Sequence, residues 1–549
     1  MNVFLVGGDP SRAADVLEGL RAPFLLDGVL EPLPDGACLS HPPSRVGGVR
    51  YCVVDGGRYA LFAGRPIRWD GEEADGRSVL DPASYLDGVP DGMDGRFAVV
   101  VDGEVSVDPL GAYPVYRCGG WTSNSPEALR RACGLDGLSV DALAGVLGGG
   151  WSLSGAPVVQ GIERVAWSGA GILAAGEGFD AARAARLLVA TVGALADWPG
   201  RENVVLVTGG RDSRLVFAAA LAAGIEMSVR TGGTDDMPDV VIGRQLAAAA
   251  GVEHRMLEPH PFGDFLPRWR EMAAVLAQTT GATATLADAA GFPLVDVGGP
   301  LPLWHTGQGG EIARGYYGAS PDLLARFLGR RPGRQALVNE EGEERVARAI
   351  ADWSSSLHAP LEDLGDLFYL HQRMARWAAP THAAVEPIRD STSPLWSAKL
   401  LPDLLGLPAG ERARERFHLE VLEILAPQLV DLPFEGGRPW PARQTPLVRR
   451  AARAKTLATK VRGELRRRRA GKAATIAAFP AQDPFSAALA EIRDAVLGAP
   501  EHPAWEVLDR ERVEALLNTP APALDAMSRS YVLRLATVFA GFPAGPAAQ

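Results

Sequence analysis

Residues 203 to 214, Asn-Val-Val-Leu-Val-Thr-Gly-Gly-Arg-Asp-Ser-Arg, constrain the fold more tightly than any other stretch of this chain. Four apolar residues, Val204 to Val207, predict a short strand buried on both faces, as parallel sheets require. A helix is expected to open at about Ser213 and to run through Leu215 to Ala223. Between them, Thr208, Gly209 and Gly210 let successive backbone N–H groups turn inward, while Ser213 and the positive end of the helix add donors. Such a loop holds phosphate oxygens. Asp212 alone would repel a phosphate, so a carboxylate at that point implies a Mg²⁺ ion bridging it to the phosphates.

The full string Thr-Gly-Gly-Arg-Asp-Ser resembles the pyrophosphate loop, Ser-Gly-Gly-x-Asp-Ser, of the ATP pyrophosphatase superfamily, which splits ATP between its α and β phosphates. Thr208 keeps the hydroxyl of the family's serine, and Arg211 fills its variable slot. The resemblance implies that Thr208, Gly209, Gly210, Arg211, Asp212 and Ser213 bind ATP and pyrophosphate.

A length of 549 residues suggests two to four domains, and 47% hydrophobic against 22% charged residues is a core-forming balance. The net charge of −11 argues against a surface that binds nucleic acid or anionic lipid as a whole. The amino terminus has no basic region and meets Asp9 too soon for a secretory signal, and no run of 18 apolar residues occurs; a soluble cytoplasmic protein is expected. Cys38, Cys52, Cys118 and Cys133 have spacings that match neither a zinc site nor a disulfide scaffold, and are expected to be buried free thiols.

The first 135 residues have the texture of short strands and turns: Val3 to Val6, Val49 to Val54, Arg58 to Phe62, Arg96 to Val101 and Glu104 to Val107, with a hairpin signal at Asp102-Gly103. The segments Gly95 to Asp102 and Asp108 to Tyr116 resemble the glutaminase-type domain of asparagine synthetases. That family uses an amino-terminal cysteine to free ammonia from glutamine, whereas position 2 here is Asn2, so the domain is expected to be catalytically silent. A linker region is expected over 136–180, around Gly148-Gly149-Gly150.

Helical texture from Asp180 to Ala196 leads to the phosphate loop, followed by a strand at Ile225 to Thr231, a helix at Asp239 to Ala250 and a third strand after Gly251. In a doubly wound sheet, Arg230, Thr231 and Gly232 would lie at a strand's carboxyl end, near adenine and ribose. The stretch Thr306-Gly307-Gln308-Gly309-Gly310-Glu311 resembles the Ser-Gly-Glu-Gly-Ser-Asp segment of asparagine synthetases and the Thr-Gly-Tyr-Gly segment of β-lactam synthetases. Its glycines allow close approach of backbone to substrate, and Glu311 offers a second hard oxygen for Mg²⁺ opposite Asp212. The resemblance implies that Thr306 and Gly307 border the nucleotide, and that Gln308 stands where relatives carry a Glu or Tyr. Glutamine takes no proton at neutral pH, so a base must lie elsewhere or the amine must arrive neutral. His305 is expected to be packed or hydrogen-bonded.

Leu364 to Leu425 reads as helical, and Glu386-Pro-Ile-Arg-Asp390 loosely resembles a further asparagine synthetase element. Relatives place a catalytic lysine after a Leu-Pro or Ala-Pro pair; none follows Ala426-Pro427, and Arg438 is the nearest cation, able to stabilise developing charge but not to donate a proton. Residues 443 to 472 hold twelve basic side chains against one acid, Glu464, so the rest of the chain carries −22. The tract is a solvated surface or a dock for an acidic peptide or protein, and less readily for RNA.

The expected fold class is therefore α/β: a glutaminase-type (Ntn-like) antiparallel β-sandwich over 1–135, a linker region, and a parallel-sheet ATP-pyrophosphatase/asparagine synthetase domain with extra helices over 181–549. The resemblance implies an AMP-forming amide ligase using ATP and Mg²⁺, with Asp212, Glu311 and Arg438 as catalytic residues and Asp212 and Glu311 as metal ligands. Without ammonia from glutamine the amine must come with the substrate, as it does for β-lactam synthetases and lasso peptide cyclases. The macrocyclase is the preferred reading, with a leader-processed peptide as substrate, a cognate protease or leader-binding protein as partner, and no nucleic acid or membrane segment. A ligase for another small molecule or glycan, an RNA-modifying pyrophosphate-loop enzyme and a non-catalytic scaffold stay open.

Overall fold

The computed structural model describes the chain except residues 1, 21–27, 41–49, 55, 71–75, 168–177, 199–200, 258–265, 290–300, 319–321, 330–336, 358, 360, 387–388, 435–438, 445–483 and 544–549. Its amino-terminal strands are β1 (Val3–Val6), β2 (Val29–Leu33), β3 (Gly36–Ser40), β4 (Arg50–Val53), β5 (Tyr59–Trp69), β6 (Gly76–Ser78), β7 (Met93–Val101), β8 (Glu104–Val107), β9 (Tyr116–Cys118), β10 (Trp121–Ser123) and β11 (Glu163–Arg164). They form two antiparallel sheets, one ordered β11-β9-β10-β1-β3-β2 and the other β4-β5-β7-β8 with β6 on β5. The side-chain period of two decides the stacking. Phe4, Val6 and Cys38 of the first sheet meet Leu61, Ala63, Ala98 and Val100 of the second, while Ala60, Phe62, Phe97 and Val99 on its other face pack on Tyr85, Trp198 and Leu303.

Asp102 and Gly103 close the β7–β8 hairpin with φ of 48° and 85°, the paired left-handed conformation of a type I′ turn. Strand β5 runs seven residues past Phe62, where the sequence suggested a stop. Gly64 and Gly95, at φ of 87° and 95°, each bring the backbone so close to the facing strand that a Cβ would lie 2.2 and 2.3 Å from a carbonyl oxygen; this local bend accommodates Pro66 within the pairing. A helix that the sequence reading passed over, α1 (Pro10–Gly19), is capped by Asp9, whose carboxylate accepts the Arg12 N–H at 2.8 Å.

Gly148-Gly149-Gly150 is not an extended linker. The glycines end a buried helix, α2 (Val140–Gly149), with Gly150 at φ of 103° as its cap. A Cβ on Gly149 would lie 2.2 Å from the Phe327 ring, so the triplet serves close packing rather than flexibility. Helix α3 (Ala181–Ala196), capped by Asp180, then leads into the second unit.

That unit is a five-stranded parallel sheet of β12 (Asn203–Leu206), β13 (Met227–Gly232), β14 (His254–Leu257), β15 (Leu303–His305) and β16 (Asp390–Thr392), ordered β14-β13-β12-β15-β16. Val205 pairs with Val229 on one side and His305 on the other. Helices α4 (Arg211–Ala222) and α5 (Pro238–Ala249) make the crossovers from β12 to β13 and from β13 to β14. The order reverses direction between β12 and β15, and the crevice at their carboxyl ends is where such sheets bind ligands. The region Leu364 to Leu425 is not wholly helical, because β16 interrupts it. Ahead of β16, Leu364–Leu367, Phe368–Ala378 and Ala379–Val385 form one rod whose middle section has wide π-helical turns. No helix among the described residues is long and apolar enough to cross a membrane.

Charged side chains join the two units. Arg65 of β5 and Arg201 both bond the buried Asp390, the latter at 2.6 Å, and Arg96 meets Glu386 at 3.1 Å. Asp94 accepts the Ser397 hydroxyl at 2.5 Å and the Ala398 N–H at 3.0 Å.

Several histidines lie in this core. Burial, helped by neighbouring arginines, pushes the imidazoles of His305 and His382 down to about 3 and that of His371 to about 4. Each is neutral in the fold but takes up a proton on unfolding below about pH 6.5. The unfolded chain then binds more protons, so stability should fall as pH drops from 6.5 towards 4. Asp108, pushed up to about 6 by burial, works in the opposite sense between about 4 and 6. Three groups against one leave a net loss, which chemical denaturation midpoints between pH 7 and 4.5 would register; a flat profile would show that these imidazoles are protonated in the fold.

Candidate functional site

The chain leaves β12 at the carboxyl edge of the sheet and enters α4 two residues earlier than the sequence suggested. Gly210 is the N-cap at φ −79° and ψ 170°, so Asp212 and Ser213 sit in the first turn, where an acidic side chain suits the helix dipole. The three loop amides point to side-chain oxygens: Thr208 N–H donates to Ser213 Oγ at 3.1 Å, Gly209 N–H to Asp239 Oδ1 at 2.7 Å, and Gly210 N–H to Thr208 Oγ1 at 3.1 Å. The two hydroxyls are 2.9 Å apart. Oxygens thus converge on this turn as phosphate oxygens would, and a bound phosphate would have to replace the Asp239 carboxylate at Gly209.

Asp212 lies at the centre of the cluster. Its Oδ1 is 2.6 Å from His418 Nε2 on helix α6 (Arg416–Leu425), and its Oδ2 accepts from Arg314 Nη2 at 2.7 Å. Burial raises the carboxyl of Asp212, but the His418 hydrogen bond and the Arg314 and Arg211 guanidiniums outweigh it and hold the group below the usual carboxylate range. The same Arg314 Nη2 lies 3.9 Å from Glu311, and Arg373 Nε lies 3.6 Å from the other Glu311 oxygen. Tyr369 also hydrogen-bonds Glu311, and its phenol is raised well above its ordinary value by burial, then by Glu311 and Asp212. Asp212 and Glu311 thus share Arg314 as a neighbour.

The second loop sits directly on the first. A Cβ on Gly307 would lie 2.4 Å from the Ser213 nitrogen, and one on Gly310 would lie 2.4 Å from Asp212 Oδ1. These glycines admit the Thr208–Ser213 turn. Thr306 bonds across to the Thr392 carbonyl and to Ser393 Oγ, both at 3.1 Å, and Gln308 Oε1 is held at 2.6 Å by His382 Nε2. His305 is packed as expected, between Asn203 at 3.0 Å and Thr392 at 3.1 Å.

Three expected nucleotide contacts are otherwise engaged. Arg230 bends back to Glu202 at 2.7 Å and Ser228 at 3.1 Å, because a strand's alternating side chains put it on the other face from Thr231. Thr231 is buried, donating to the Val207 carbonyl at 2.6 Å and sitting 2.9 Å from His254, so it braces the strand leading into the loop instead of facing a ligand. Arg211 pairs with Glu415 and lies 4.3 Å over the Phe434 ring. Its neighbour Arg214, fully buried, donates to the carbonyls of Leu429, Leu432 and Pro433 at 3.1, 2.9 and 2.6 Å. Arg438 and residues 445–472 of the basic tract fall outside the described residues.

Sequence reasoning missed Asp239, Arg314, Tyr369, Arg373 and His418. Only Arg314 left a local trace, three residues after Glu311 on the same short helical turn. Among the described residues no group of three or more His, Cys, Asp and Glu side chains could hold a metal ion. Mg²⁺ needs only one or two carboxylates when phosphate oxygens and water fill its other positions, so the ionised Asp212 and nearby Glu311 fit that ion together with a phosphate ligand.

In the amino-terminal sandwich, Asn2 is buried and its carbonyl accepts from Asn124 Nδ2 at 2.8 Å. Asp108 is taken up by the backbone N–H groups of Leu110, Ala112 and Tyr113 at 3.0, 2.8 and 2.8 Å. The cysteines are free thiols, Cys38 buried and the other three half-buried. Compared with protein families and with curated proteins, the chain matches no family model and no curated sequence.

Proposed function

We propose that this chain is an ATP-dependent, AMP-forming amide ligase of the asparagine synthetase type, and within that class a lasso-type peptide macrocyclase. The observation that carries the reading is the phosphate-loop turn at the switch point of the parallel sheet, with Asp212 and Glu311 gathered around Arg314. In the proposed reaction an Asp or Glu side-chain carboxylate of a leader-processed peptide attacks the α-phosphorus of ATP and pyrophosphate leaves. The peptide's own α-amine then attacks the acyl adenylate, forming the macrolactam and releasing AMP.

Thr208 to Ser213 would hold the β and γ phosphates through backbone N–H groups and the helix end. Asp212 and Glu311 would hold Mg²⁺, which when bound neutralises phosphate charge. Arg314 and Arg373, which pair with Asp212 and Glu311, would face the remaining anionic oxygens. The sandwich is a glutaminase-like domain whose nucleophile is replaced by Asn2, so the amine comes from the substrate; a protease or leader-binding protein would supply the trimmed peptide.

Nucleotide analysis after incubation with ATP, Mg²⁺ and a core peptide tests this. AMP and pyrophosphate should form together with a peptide product lighter by one water. ADP with orthophosphate as products would overturn the α–β splitting assignment itself.

A further inference from the structure

A cavity of about 630 Å³ is lined by Arg373, the glycine end of α2, the Tyr316-Tyr317 turn and the carboxy-terminal helix α7 (Ala526–Gly541). The Phe327 ring stands edge-on to Trp151 with centroids 4.7 Å apart, in space that only a glycine at 149 leaves. Arg373 is flanked by the Tyr316 and Trp377 rings, 4.9 and 4.6 Å from its guanidinium carbon.

At the α7 wall lies Arg534, its guanidinium carbon 5.2 Å from the Tyr531 ring centroid. Burial lowers the pKa of Arg534, and Asp288 offsets this only in part. Asp288 is already committed, accepting from Trp377 Nε1 at 2.9 Å and from the Thr285 N–H and hydroxyl at 2.8 Å each. Among the described residues no hydrogen bond is made by Arg534. A half-buried guanidinium that lines a cavity and makes no hydrogen bond to a described residue favours an anionic ligand, and its planar fork suits a carboxylate.

We propose that this cavity is the acceptor site of the ligase, taking a short peptide segment in which an aromatic or large apolar residue lies among Phe327, Trp377 and Tyr531 while Arg534 holds a recognition carboxylate. The proposal rests on the ligase reading for the reaction, though not for the binding. The volume is in the range of sites that enclose drug-sized ligands, which corresponds to a few residues of peptide. Arg373, shared between the cavity wall and Glu311, places the cavity next to the phosphate cluster, so a second carboxyl on the same segment can reach the nucleotide.

Calorimetric titration with N-acetyl-Gly-Glu-Phe and with its carboxy-terminal amide tests the assignment. The acid should bind the parent protein at least about tenfold more tightly than the amide, the scale of a hydrogen bond to a charged group. Arg534→Gln should erase that preference, and Ser530→Trp, which fills the cavity while keeping the Arg534 charge, should weaken both peptides. ATP affinity should stay within about twofold in both variants, since the phosphate cluster is untouched. Equal binding of acid and amide, no binding to the parent, or unchanged binding in both variants would overturn the proposal. If the peptides bind as expected but no acceptor elicits AMP, the ligase reading falls and the peptide site stands. If AMP forms while Ser530→Trp leaves the acceptor KM unchanged, the cavity assignment alone falls.

Discussion

Asp212→Asn should lower turnover about 10²–10³-fold, the usual cost of losing one charge-stabilising group in a site of this kind, while the protein keeps its fold. Asparagine preserves the volume and one acceptor oxygen, so either Arg314 or His418 retains its hydrogen bond. What disappears is the negative charge. In the parent that charge is maintained against burial by donors on two other elements, an arrangement that makes sense if the reaction needs an ionised carboxylate beside the phosphates. Pre-steady-state release of pyrophosphate, with a denaturation curve and an ATP titration on the same preparation, separates a chemical defect from a folding defect. Turnover within a few-fold of the parent would remove Asp212 from the mechanism.

Asp390→Ala should cost about 3–5 kcal/mol of stability, the range for breaking a buried ion pair from one side. The variant strands two guanidiniums, Arg65 and Arg201, beside the Trp198 ring, which lies 4.2 Å from Arg65. The pH dependence gives a second signature. Burial raises the Asp390 carboxyl, but Arg65 and Arg201 together bring it down to about 2. A depressed carboxylate contributes stability that is present above its unfolded value of about 4 and is lost as pH falls towards 2. The parent should therefore lose stability across that window more steeply than the variant. Identical urea midpoints for the two proteins at pH 7 would mean that the two units do not depend on this cluster. Such dependence would give the amino-terminal sandwich a structural role: its Arg65 neutralises the buried Asp390 of the other unit.

The strand–turn–helix from Asn203 to Ala222 was legible because its signal is local. A buried apolar strand, two glycines and a helix start occupy ten consecutive residues, and each follows from backbone preference and burial. The β7–β8 hairpin was legible for the same reason, in Asp102-Gly103. Strand β16 was not, since Asp390, Ser391 and Thr392 prefer turns and caps; what makes them a strand is pairing with β15 and the arginines that neutralise Asp390. The residues that surround Asp212 were illegible in kind. Arg314 and His418 come from about 100 and 200 positions away, and apart from the spacing of Arg314 from Glu311 no local pattern announces a meeting with Asp212. The glycine triplet misled because composition alone cannot tell a flexible tether from a helix end that must admit an aromatic ring.

The contact of Gly307 with Ser213 also bears on how the chain reaches its working state. The two loops lie on adjacent strands, yet about 100 residues of chain separate them, and the crossover through β13 and β14 intervenes. During synthesis the segment from β12 to β14 can form its strand–helix crossovers from local contacts long before β15 exists, since closing short loops is entropically cheaper than closing long ones. Such a nascent sheet would carry the Thr208–Ser213 turn but neither Arg314 nor His418, the two side chains that bond Asp212 in the finished fold. The crevice around Asp212 is in this way completed only after the last strands have joined the sheet.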